Sequence, residues 1–177
     1  KDKNIQTENT TNGVTVERLC HEVEKSKIEK GVSSATTKHL RTVSRIMKDF
    51  LGAKTSIKAI SREKGKEFVK FLKTVPSLAG TRYPNVNIVI AAAKEAKKPK
   101  PFVISTKTAI MHFEYAMGMF KQVEDLFPDI EGYKNPLLES FRQLIPNDPV
   151  RVDYSEKMYS GEEITQLFTS SQFLESS

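Results

Sequence analysis

Apolar residues along this chain recur at helical spacing far more often than they alternate. From Thr15 to Lys30, Val16, Leu19, Cys20, Val23 and Ile28 share one helical face, Glu17 stands in the favourable first turn, and Gly31 marks the stop. A second helix is expected from Ser34 to Leu51, with Ser33 or Ser34 as N-cap and Gly52 past its end. At about 100° per residue from Leu40, Val43, Met47 and Leu51 stay within about 60° of that residue, while Lys38, Arg41, Arg45 and Lys48 fall near about 160°, 100°, 140° and 80°. Four cations therefore form a stripe on the side away from the core. "ISREKGKEFVKFLKTVPS" predicts a third helix, capped by Ser61, burying Phe68, Phe71 and Leu72, and ended by Val75-Pro76, with Gly65 weakening its first turns.

Residues 77–104 are punctuated by Gly80, Pro84, Pro99 and Pro101. Val86, Ile88 and Ile90 alternate as a strand would, but the Ala-rich continuation favours a short helix. "ISTKTAIMHFEYAMGMFKQVEDLF" is the strongest helical pattern. Ser105 caps it, Ile110, Phe113, Met117 and Phe120 share a face, and Leu126 and Phe127 close it before Pro128. A shorter helix, "NPLLESFRQL", follows with Pro136 in its first turn. The expected fold is all-α, an orthogonal bundle of about five helices. A flexible leader (1–13), a helical domain (14–145), a proline-punctuated linker (146–158) and a last helix (159–177) complete the organisation, the last opened by a capping box at Ser160 and Glu163.

Composition narrows the function classes. The 177 residues suit one main domain, and no apolar run approaches the roughly 20 residues that span a bilayer. No signal-peptide pattern is found and Cys20 is the single cysteine, so a cytoplasmic chain without an internal disulfide is expected, a fragment of a longer protein. The net charge of +6 conceals a sharp asymmetry. Residues 1–32 carry 6 basic and 6 acidic side chains, residues 33–107 carry 17 and 4, and residues 108–177 carry 5 and 12. A basic middle of this kind suits a polyanion, with nucleic acid ahead of membrane.

Catalytic constellations are sparse. Ser61 and Lys64 match Ser-x-x-Lys without its companion elements. Cys20 and His21 point to different helical faces, and His21, His39 and His112 lack ligand spacing. There is no Gly-rich phosphate loop, and nothing calls for a cofactor, a metal or a small-molecule substrate. Two features suit binding. The stripe of Lys38, Arg41, Arg45 and Lys48 lies on a helix narrow enough for the DNA major groove. Ser105, Lys107 and Thr108 stand at a helix N-terminus, where free N–H groups attract phosphate.

In order and spacing, "ISREKGKEFVKFLKTVPSLAGTRYP" (60–84), "ISTKTAIMHFEYAMGMFKQV" (104–123), "YKNPLLESF" (133–141) and "YSGEEITQLFTSSQF" (159–173) resemble the core-binding domain of tyrosine recombinases, the phage integrase family. The resemblance implies a SAM-like helical clamp on attachment-site duplex DNA, working beside other recombinase subunits, with a short C-terminal helix leading to a separate catalytic domain. It implies DNA contacts at Lys38, Arg41, Arg45, Lys48, Ser105, Lys107, Thr108 and His112. The family's His-x-x-Arg is absent, because Glu24, Thr42 and Tyr115 stand three residues after the three histidines. The expectation is thus a fragment that binds DNA without cutting it. A helical adaptor with a basic docking face is the alternative.

Overall fold

The computed structural model describes residues 13–148, and through Pro146 they belong to one compact unit. Helix α1 (Val16–Glu29) starts where Thr15 Oγ1 accepts from the Arg18 amide at 3.2 Å. Helix α2 (Ser34–Met47) starts the same way at Ser33, which accepts from Thr36, and then widens into a π-helical turn, Lys48–Gly52. Gly52 leaves that turn at φ +92°, a left-handed conformation that disfavours any side chain. Helix α3 (Arg62–Leu72) is capped by Ser61. A single turn α4 (Ala79–Arg82) precedes α5 (Ile88–Ala96), so the Ala-rich segment is helical. Helix α6 (Thr106–Lys121) is capped by Ser105, and the single turn α7 (Val123–Leu126) follows it.

The described residues are therefore all-α: they contain no sheet, only two isolated antiparallel bridges, Thr15 with Ser56 and Pro76 with Val103. Helix α2 packs against both α1 and α6, which also meet each other, and α3 also meets α6. The sides that face inward are the apolar ones: Leu19 and Val23 of α1, Val43 and Met47 of α2, Phe68 and Leu72 of α3, Phe113 and Phe120 of α6. Burying each such side chain contributes about 1.5–3 kcal/mol, offset by the entropy of ordering the chain around it.

Four expectations are corrected. Ile28 is 50% exposed, because α1 is ending there and its last turn has left the core. Helix α2 stops at Met47 rather than at Leu51, and α6 stops at Lys121 rather than running to Phe127. "NPLLESFRQL" is not an α-helix. Asn135 Oδ1 accepts from the Leu137 amide at 2.9 Å, Leu138 is extended, and a 3-10 turn, Glu139–Leu144, follows. The side-chain turn at Asn135 competes with helix nucleation. Pro136 occupies no helical first turn and is instead buried beside Gly65 of α3. Gly65 is a packing residue: a Cβ there would collide with the Pro136 carbonyl oxygen and lie 3.0 Å from its carbon. Residues 1–12 of the leader, the linker beyond Asp148 and the Ser160–Glu163 helix lie outside the described residues.

Candidate nucleic-acid interface

The α2 stripe divides into an outward half and an inward half. Lys38 is exposed. Arg41 is exposed too, although its Nε donates to Glu24 Oε1 of α1 at 2.6 Å. Arg45 is turned inward along the surface: its Nη2 donates to the carbonyls of Tyr83 at 3.0 Å and Val86 at 2.7 Å, and Asp49 lies 3.9 Å from its Nε. Asp49 in turn accepts from the Ile88 amide at 2.8 Å, capping α5 from outside. Lys48 is half-buried. Arg45 thus fastens the 83–86 loop to α2, which leaves Lys38 and Arg41 as the outward part of the stripe.

At the start of α6 the hydroxyls serve the chain itself. Ser105 Oγ accepts from the Thr108 amide at 3.2 Å and meets Thr108 Oγ1 at 3.0 Å, while Thr106 Oγ1 donates to the Pro146 carbonyl at 2.8 Å. Lys107 is exposed beside them. His112 lies inside, 5% exposed, with Nδ1 unpartnered. Burial, with His39 as a second cause, pushes its pKa down to about 4, so the ring is neutral. His39 itself stacks on Tyr115 at 5.9 Å. Of the residues assigned to this helix, Lys107 faces outward and His112 is part of the interior.

The most organised polar cluster was not anticipated. The antiparallel pairing of Ser77 N–H with the Phe102 carbonyl (2.8 Å) and of Ile104 N–H with the Val75 carbonyl (3.0 Å) makes a neck, from which residues 78–101 project. At the centre of that excursion Glu95 is fully buried. Its carboxylate accepts from Lys98 at 2.8 Å, Tyr83 at 2.5 Å, the Phe102 amide at 2.8 Å and Arg82 at 3.2 Å. Lys98 first, then the Tyr83 hydroxyl and the Phe102 amide, hold its carboxyl well below the usual carboxylate range, and the same contacts raise the Lys98 ammonium. The sequence does carry a signal for it. Ile88, Ala91, Ala92 and Glu95 follow the i, i+3, i+4, i+7 rule, so Glu95 stands where the buried face of α5 calls for an apolar residue.

Among the described residues no three His, Cys, Asp or Glu side chains could hold a metal ion, and no helix is long and apolar enough to cross a membrane. Cys20 is buried, and burial pushes its thiol up, away from the thiolate a nucleophile needs. Comparison with protein-family models, with curated proteins and with solved structures returned no match, so the site rests on its own geometry.

Proposed function

We propose that the chain is a duplex-DNA-binding helical domain, the core-binding part of a site-specific tyrosine recombinase that would hold attachment-site DNA alongside other recombinase subunits. The fold is compatible with that reading at the level of an all-α domain. The observation that carries it is the way folding sorts charge in residues 33–107. Twelve of the 17 Lys and Arg residues are exposed, whereas only Glu63 and Glu67 of the four carboxylates are. Glu95 is enclosed by its own cations, and Asp49 is occupied at the α5 N-terminus. Folding thus makes the surface of this segment more one-sidedly basic than its composition, which favours a polyanion.

Catalysis is assigned to residues of the parent enzyme beyond this domain. The domain's role would be grip and position, with Lys38, Arg41 and Lys107 holding phosphates. Fluorescence anisotropy with a labelled duplex across a salt series tests this. Log affinity should fall with log salt at about −0.9 per phosphate contacted. The triple variant Lys38→Ala, Arg41→Ala, Lys107→Ala should flatten that slope by about 0.9 for each contact removed. Absence of duplex binding at low salt would sink the proposal, and an unchanged slope would move the surface elsewhere.

A further inference from the structure

The neck presents an apolar pair in a field of cations. Phe102 is 53% exposed and Leu78 is 66% exposed, although the backbone of each is hydrogen-bonded. The Phe102 amide donates to Glu95, and its carbonyl accepts from the Ser77 amide at 2.8 Å and from Arg82 Nη1 at 3.3 Å. The ring therefore projects from a backbone fixed at both ends of one residue, under the Arg82 guanidinium at 5.3 Å. Leu78, next to Ser77, adopts a left-handed conformation (φ 55°, ψ 34°) that branched side chains avoid. Lys97 and Lys100 precede Phe102 in the chain, and both are exposed. From Phe68 to Phe113 the sequence holds one carboxylate, Glu95, and it is buried.

We propose that Leu78 and Phe102 form a wedge that enters duplex DNA between neighbouring base pairs, while the exposed Lys97 and Lys100 hold the flanking phosphates. The inference rests on the DNA-binding reading and adds to it a second contact surface with a different action, deformation of the duplex. Charge complementarity selects the occupant, because no exposed carboxylate of residues 68–113 would repel a phosphate backbone. Apolar side chains that partly unstack a base step kink the duplex by roughly 20–90°. A wedge must be rigid to do so, since a mobile side chain would lose ordering entropy on insertion. The buried Glu95 supplies that rigidity by holding the Phe102 amide from behind.

The test uses the full chain and a duplex of about 20–30 base pairs carrying a donor and an acceptor dye at its two ends. Saturating protein should raise energy transfer as the ends approach. Phe102→Ala should abolish that rise and weaken binding roughly tenfold, the scale of one base–aromatic stack, while the salt slope stays that of the unaltered chain. Phe102→Leu should restore bending, and circular dichroism of each variant checks that the helices remain. Binding without bending, or bending that survives Phe102→Ala combined with Leu78→Asn, overturns the wedge and leaves the DNA reading standing. Failure to bind duplex at all overturns both. Partition onto phosphatidylcholine–phosphatidylserine vesicles that is lost in Phe102→Ala, with no bending of DNA, would assign the pair to a lipid surface and overturn the wedge.

Discussion

Acidification tests how His112 is held. The ring lies on α6 where that helix meets α2, with Nδ1 unpartnered, and its pKa falls from 6.5 in an open chain to about 4 through burial and then through His39. The folded state therefore refuses a proton that the unfolded chain accepts. A base whose pKa is depressed on folding costs nothing above about pH 6.5; its penalty grows as pH falls and levels off near the folded value. The gap, at about 1.36 kcal/mol per pKa unit, is worth about 3 kcal/mol of stability lost between pH 7 and pH 4. Carboxylates contribute only at the acidic edge of this window. Glu139, held below its usual 4.5 by Lys121 at 2.9 Å, begins to lose that pairing only as pH falls below about 4.5. A comparison with His112→Leu removes that background, because the carboxylates are common to both proteins. Urea denaturation across this range should show the unaltered chain losing about 3 kcal/mol more than the variant. Two parallel stability curves would mean that His112 reaches solvent, and the interior placement would be wrong.

Two further substitutions probe packing and capping. Gly65→Ala should destabilise by about 1–3 kcal/mol, despite the better helix propensity of Ala, because the new methyl meets the Pro136 carbonyl; a shift of the denaturation midpoint to higher urea would contradict the close approach. Asp49→Ala removes the carboxylate that accepts from the Ile88 amide and faces the α5 N-terminus, so a loss of about 1 kcal/mol is expected, with faster hydrogen exchange in α5 than in α1.

Local rules made much of this fold legible. Ser33, Ser61 and Ser105 precede apolar periodicity, and each accepts the amide three residues on, as an N-cap should. The Ala-rich run outweighed the alternation of Val86, Ile88 and Ile90 because Asn87 caps the helix from within, accepting from Val89 and Ile90. What local rules could not supply was the distant partner. Arg45 lies at the centre of a charged stripe by helical angle, yet it is taken up by carbonyls 38 and 41 residues away. Asn135–Leu144 carries a helical apolar period, but Pro136 is drawn against Gly65 and Asn135 satisfies the Leu137 amide, so tertiary packing overrides the period.

The candidate site was legible in its charge and less so in its geometry. Glu95 is a polar residue at an apolar position of α5, and that misfit was visible in the sequence. Its meaning was not, because Arg82 and Tyr83 must first be folded back onto α5 before Glu95 has anything to bind. His112 lies off the Ile110, Phe113, Met117 and Phe120 face, and it is interior because α6 turns Ala109, Ala116 and Met119 inward instead of Ile110 and Met117.

The neck has an evolutionary consequence. Because the chain leaves at Ser77 and returns at Phe102 through adjacent backbone hydrogen bonds, residues 78–101 behave as a cassette with its two ends stitched together. Closing a longer loop costs only slightly more than closing a shorter one. As long as Ile88 and Ala91 keep their seats against the core, and Tyr83, Val86 and Ile88 keep their backbone bonds to Arg45 and Asp49, the cassette can be lengthened or trimmed without rewriting the helices that carry it.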